Sequence, residues 1–273
     1  SWSAVTAVVI NIPLNYFLIF VLGLGISGAA IASSLAEMGS LIMLCIYTGV
    51  KIDKEKYGFK SMYDRRLLIK VLNLSVWSML HACISVAPWC LFFVAIEHLG
   101  KTELAISNIT RSVSALFFVI ANSFAVTTGS LVSNAIGAGA RNTLFPICHK
   151  VLKLGYAVGI PLVIIALFCN RWIVGFYTDS ELLVELAFAP FVVMLLNYTF
   201  ALPGYVYLNA VGGTGKTKIT FLFQVTTTCV YLVYLYGLSS CIDASLSLYL
   251  TAEYLFVILL ALQSIIYLKS KHD

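Results

Sequence analysis

Four ionisable side chains stand deep inside apolar runs of this sequence: Glu37, His81, Arg111 and Glu253. Charged groups in such surroundings are costly, about 2.5–3.5 kcal/mol each on insertion scales if the runs cross a bilayer, and they mark ion or substrate paths. Glu37 or Glu253 then serves as a proton or cation site, or as the partner of a positively charged substrate. Two plainer roles stay open for them. One carboxylate pairs permanently with Arg111, or each is protonated and hydrogen-bonded to a neighbouring helix. His81 reads as a hydrogen-bonded lining residue or as a proton relay. Asn108, Arg111, Ser112 and Ala115 recur at three- and four-residue spacings, which places them on one helical face. That face is the expected wall of a cavity. Amides at Asn11, Asn15, Asn73, Asn122, Asn197, Asn209 and Gln224 also fall within apolar runs, where they bond across helices or line wet space.

Other chemistries find little support. No nucleophile, base and acid stand in a recognisable set, so an enzyme is not expected. The seven cysteines include no C-x-x-C pair and sit mostly in apolar runs, which speaks against zinc or redox use. Gly212-Gly213-Thr214-Gly215-Lys216-Thr217 imitates a phosphate loop, but the motif requires glycine where Ala210 stands. It reads as a basic turn. The net charge of +5 suggests no nucleic-acid partner in a chain with 60% hydrophobic and 11% charged residues. A soluble domain carries roughly 25% charged residues.

The elements that must position these side chains follow from run length. A membrane span needs about 20 apolar residues. Eight such runs are present, at 2–22, 26–48, 69–96, 104–136, 147–169, 182–210, 219–238 and 244–268. The expected fold is all-α, a polytopic membrane helical bundle of about eight transmembrane helices. The fourth run is too long for an upright span and should tilt or project. Pro203-Gly204 is the expected bend in the sixth. Alternating the spans puts Lys51, Lys54, Lys56, Lys60, Arg65, Arg66 and Lys70 on one side, with Arg141, Lys150, Lys153, Lys216, Lys218, Lys269 and Lys271. The other side receives Lys101 and Arg171. Basic loops stay cytoplasmic, so both ends of the chain are expected there, in a multi-pass protein of the cell (inner or plasma) membrane whose first partner is the lipid bilayer. Glu37 and Glu253 each lie about ten residues into a span, roughly 15 Å deep and near the midplane.

The long polar stretch 49–68 divides the chain. The expected organisation is a pair of helices over 1–48, a cytoplasmic loop over 49–68 and a six-helix unit over 69–273. The first two spans also resemble the last two. Gly28 to Glu37 lies beside Ala244 to Glu253, both entering a helix from the outer side and placing Ala-Glu at one depth. A parallel repeat of this kind implies two lobes of six spans, twelve in all. Four spans would then precede Ser1.

Two stretches carry a family resemblance. Asn11 to Phe20, with Pro13 between Asn11 and Asn15, followed by Gly23 to Ala32, resembles the fifth and sixth helices of the multidrug and toxic compound extrusion (MATE) family. Ala121 to Asn134, ending in Gly137-Ala138-Gly139, is similar to its eighth helix and the loop after it. Gly212, Gly213 and Gly215 ahead of Lys216 fall where the family has its loop between helices ten and eleven. The resemblance implies two lobes rocking about a central cavity and alternating access. It also implies export of small organic cations or drugs against a sodium or proton gradient, with no cofactor. Some branches place a cation-binding acid in the first helix, which is not in this sequence, and others in the middle of the seventh. There this chain reads Leu80-His81-Ala82-Cys83, without a carboxylate. A lipid-linked precursor flippase of the same superfamily is the alternative, and it would want several cavity cations where this chain offers Arg111. A non-transporting fragment is a further one.

Overall fold

The computed structural model describes residues 2–52, 64–240 and 244–270, apart from the side chain of Trp2. Lys54, Lys56, Lys60 and Lys271, four of the cations used for orientation, lie outside the described residues. All regular structure among the described residues is helical. Among the described residues eight segments are long and apolar enough to cross a membrane: Ser3–Val21, Gly25–Lys51, Arg65–Leu99, Lys101–Gly137, Arg141–Phe168, Glu181–Gly213, Thr217–Ser239 and Leu246–Ser270. The chain is an all-α, multi-pass membrane protein. It divides into two compact units, Ser1–Arg65 and Arg66–Asp273.

The first unit is an antiparallel hairpin. Helix α1 (Trp2–Tyr16) ends in a π-helical turn, Phe17–Val21, and α2 spans Gly25–Lys51. The corner needs left-handed backbone at Gly23 (φ 66°) and Gly25 (φ 52°), which a side chain would strain. Close approach beyond the corner requires Gly28, where a Cβ would stand 2.9 Å from the Leu18 carbonyl oxygen. Ser40 Oγ donates to the Ser3 carbonyl at 3.0 Å and Asn11 Nδ2 to Ser33 Oγ at 3.3 Å.

The second unit contains α3 (Arg65–Ile96), α4 (Lys101–Gly137), α5 (Leu144–Phe168), α6 (Asn170–Gly175), α7 (Glu181–Leu186), α8 (Phe188–Leu196), α9 (Tyr198–Gly213), α10 (Thr217–Ser239) and α11 (Leu246–Ser270). Its middle is α9, which touches α4, α5, α8, α10 and α11. Small residues permit this, as they do in membranes generally, where close backbone approach replaces a hydrophobic drive. A Cβ on Gly204 would meet the Val257 carbonyl oxygen of α11 at 2.7 Å. One on Gly213 would meet the Gly129 carbonyl oxygen of α4 at 2.5 Å. Gly155 and Gly159 of α5 lie one turn apart, under Leu202 and Tyr198. Helix α4 has 37 residues, about 55 Å at 1.5 Å per residue, so it exceeds the hydrocarbon core.

Pro203 and Gly204, where a bend is expected, both lie inside one helix, α9. The sixth span is interrupted at Ala187 and Asn197. The proline cannot donate to the Thr199 carbonyl four residues back. That oxygen is taken by the Tyr156 hydroxyl of α5 at 2.7 Å, so the lost bond is replaced from outside the helix.

Candidate transport site

Helices α4 and α11 bring together two of the four ionisable residues. Arg111 Nη2 donates to Glu253 Oε1 at 2.6 Å, with the side chains 2% and 12% exposed. Tyr231 of α10 donates its hydroxyl to the same oxygen at 3.3 Å, and its ring stacks edge-on against Phe256 at 5.7 Å. The guanidinium is held on its other side by α3. Its Cζ stands 4.0 Å from the ring centre of Phe92, 4.9 Å from Trp89 and 5.4 Å from Phe93. Desolvating two charges costs several kcal/mol per ion. The short charge-assisted bond and the aromatic faces, worth up to about 2 kcal/mol when dry, offset part of that. Arg111 Nε and Nη1 are buried without an acceptor.

A cavity of about 60 Å³ adjoins this pair, lined by Trp89, Arg111, Ser114, Asn197, Tyr205 and Glu253 among others. It has room for a few waters. Asn197, at the break between α8 and α9, turns a buried and unpaired Oδ1 in the same lining. Both hydrogen bonds of Glu253 fall on Oε1. The arrangement is a carboxylate held by an internal cation beside polar space and aromatic walls, a place where a proton or an external cation can compete with the guanidinium.

The other expected residues lie elsewhere. Arg111 and Ala115 are on the cavity wall, but Asn108 and Ser112 are exposed. The lining face of α4 is set by Arg111, Ser114, Phe118 and Ala121, rotated about 90° from the expected one at 3.6 residues per turn. His81 lines a separate cleft of about 350 Å³ with Ser78, Ser130, Ser133 and Asn209, its Nε2 buried and unpaired. Glu37 belongs to the first unit, exposed beside Asn11 and Ser33 along a cleft of about 210 Å³. Sequence pattern did not single out Trp89, Phe92, Tyr205 or Tyr231. A tyrosine within a span, whose hydroxyl must find a partner, was the available signal. No group of three or more His, Cys, Asp or Glu able to hold a metal occurs among the described residues.

A family model, MatE, matches residues 78–238, which include the α3, α4, α9 and α10 parts of this site. The chain belongs to the MatE family. Among curated MatE relatives, Protein DETOXIFICATION 49 of Arabidopsis thaliana is 25% identical over 194 residues, 68% of this chain and 38% of that protein. Multidrug and toxin extrusion protein 1 of Homo sapiens is 21% identical over 218 residues, 80% of this chain and 38% of that protein. The chain thus spans about two fifths of the length of these relatives. A solved outward-facing conformation of a multidrug resistance MATE family transporter superposes with a TM-score of 0.86 at 18% identity, over 99% of this chain and 61% of that one. A MATE crystal structure in complex with MaL6 gives 0.85 at 18% identity, over 100% and 63%. At these identities the structural likeness is one of fold. MatE proteins are transporters rather than enzymes.

Proposed function

We propose that this MatE chain serves secondary active export of small organic cations or drugs, by alternating access coupled to a sodium or proton gradient. The observation that carries the reading is Glu253. It is a nearly buried carboxylate whose engaged oxygen is shared by Arg111 and Tyr231, at a cavity with aromatic walls. A proton or metal cation that neutralises Glu253 frees Arg111. A positively charged substrate replaces Arg111 at the carboxylate. The two events exclude each other, and such exclusion is what antiport requires. Glu37, in the same Ala-Glu register on α2, is the matching group of the other lobe. Asn108 and His81 belong to the path outside the pair, His81 through its polar cleft. The repeat argues that α1 and α2 work with further helices of one lobe, so transport needs that lobe whole. The basic loops argue for both ends of this chain in the cytoplasm, and the inner or plasma membrane is the proposed location.

Dye-cation efflux from vesicles under an imposed proton or sodium gradient tests the reading, in the full-length protein and its Glu253→Gln and Glu37→Gln variants. Glu253→Gln keeps the shape and removes the charge, and efflux is expected to fall at least about tenfold, the equivalent of about 1.4 kcal/mol. Unchanged efflux in both variants removes these carboxylates from the mechanism.

A further inference from the structure

At the basic ends of the helices a further pocket has no part in the ion-pair site. It holds about 260 Å³ between the α4–α5 turn, the α9–α10 turn and the last turns of α11. Arg141, Asn142 and Lys216 line it, and no carboxylate does. Among the described residues neither Arg141 nor Lys216 forms an ion pair. Two long helices begin here, α5 with 25 residues and α10 with 23, and neither start carries a side-chain cap. The nearby threonine hydroxyls donate elsewhere, two of them three residues back and one to α3. Thr143 donates to the Ala140 carbonyl at 2.7 Å, Thr214 to Val211 at 2.7 Å and Thr217 to Leu74 at 3.2 Å. Gly139 (φ 77°) and Gly215 (φ 79°) make the left-handed turns that set both starts beside one another's cations. The pocket therefore offers two cations and an amide beside the starts of two long helices.

We propose that this pocket binds the phosphate of an anionic phospholipid headgroup. Arg141 provides a planar fork for two phosphate oxygens and Lys216 a point charge. The two helix starts add favourable dipole ends. A free phosphate would satisfy the same groups. The lipid is favoured by the remaining wall, Leu144, Tyr267 and Leu268, which suits a glycerol and the first acyl carbons. The pocket also lies at the ends of membrane-spanning helices, where basic clefts meet headgroups. The site stands independently of the export reading, since it shares no residue with the ion-pair cavity.

The test measures the thermal midpoint of the chain in maltoside micelles. Dioctanoyl phosphatidylglycerol, dioctanoyl phosphatidylcholine or inorganic phosphate is titrated in. Phosphatidylglycerol is expected to raise the midpoint by several degrees and the other two by much less. The double variant Arg141→Gln/Lys216→Gln should need at least tenfold more phosphatidylglycerol for the same shift, and each single variant an intermediate amount. Lys150→Gln/Lys153→Gln, which removes equal charge from outside the pocket, should behave as the parent. Equal stabilisation by inorganic phosphate overturns the lipid assignment. An equal loss in both double variants, or none in the pocket variant, overturns the site.

Discussion

Gly159→Ala adds one methyl where the α5–α9 contact has no room. An ideal Cβ there stands 2.1 Å from Tyr198 Cζ and 2.2 Å from its hydroxyl oxygen. Tyr198 is 3% exposed. Its hydroxyl donates to the Gly155 carbonyl at 2.8 Å and its ring meets Phe117 edge-on at 6.2 Å. The ring must move or the helices must part. Overpacking costs about 1–3 kcal/mol, and losing the tyrosine bond about 1 kcal/mol more. Alanine returns about 1 kcal/mol of helix propensity, which leaves a net loss of about 1–3 kcal/mol. Thermal unfolding of the purified chain in detergent measures it, with Gly237→Ala as the reference. A Cβ at Gly237, inside α10, meets nothing within 4 Å, so that variant should match or exceed the parent. Tyr198→Leu in the Gly159→Ala background should cost less than the sum of the single changes, because the clash is with that ring. A Gly159→Ala midpoint at or above the parent's, or strict additivity with Tyr198→Leu, refutes the packing argument. Tyr198 also lines the ion-pair cavity, so displacing it should reduce cation efflux beyond what the lost stability explains.

Three further outcomes are expected. Arg111→Lys keeps the charge but loses the planar group stacked 4.0 Å over Phe92, and should lower stability by about 1–2 kcal/mol in the same melts; a midpoint equal to the parent's shows that charge alone matters. Tyr156→Phe leaves the Thr199 carbonyl without the hydroxyl at 2.7 Å and should cost about 0.5–1.5 kcal/mol. The cost should shrink when Pro203→Ala restores an in-helix donor, and a double-mutant cycle with no coupling disproves the exchange. In a cysteine-free background, Lys150→Cys should react with an impermeant maleimide from the cytoplasmic side and Lys101→Cys from the other, both positions being exposed; labelling of both from one side breaks the eight-span topology.

The spans were readable because a bilayer imposes a length on apolar runs, and no tertiary contact is needed to see it. The eight runs at 2–22 through 244–268 match the eight helical segments to within a few residues at most ends. Interruptions were less readable, since a proline signals a missing donor and not its consequence. The carbonyl that Pro203 leaves without an in-helix donor is satisfied by Tyr156, 47 positions earlier by residue number. Gly155 and Gly159 carried a small-xxx-small spacing in plain view, and their meaning depended on which helix would lie over them.

The site shows the same division more sharply. Helical spacing relates residues of one helix to each other, and it placed Arg111 beside Ala115 correctly. It does not say toward which neighbour a face turns: Asn108 and Ser112 stand exposed, about a quarter turn from the lining of the ion-pair cavity. An ion pair between Glu253 and Arg111, 142 residues apart, was one of the open alternatives, and the sequence offered Glu37 the same claim. What separates the two glutamates is their surroundings. Glu253 has Arg111 on α4, Tyr231 on α10 and the α3 aromatics behind the guanidinium, while Glu37 in its hairpin has Asn11 and Ser33 nearby and stands exposed. On the proposed reading, a carboxylate already paired with Arg111 must exchange that partner to act. The expected consequence is an asymmetry. Glu253→Gln should impair both dye binding and gradient coupling, whereas Glu37→Gln should alter one of them alone. Paired measurements of dye affinity and gradient-driven efflux decide it, and equal losses in both quantities for both variants would show the two glutamates to be equivalent.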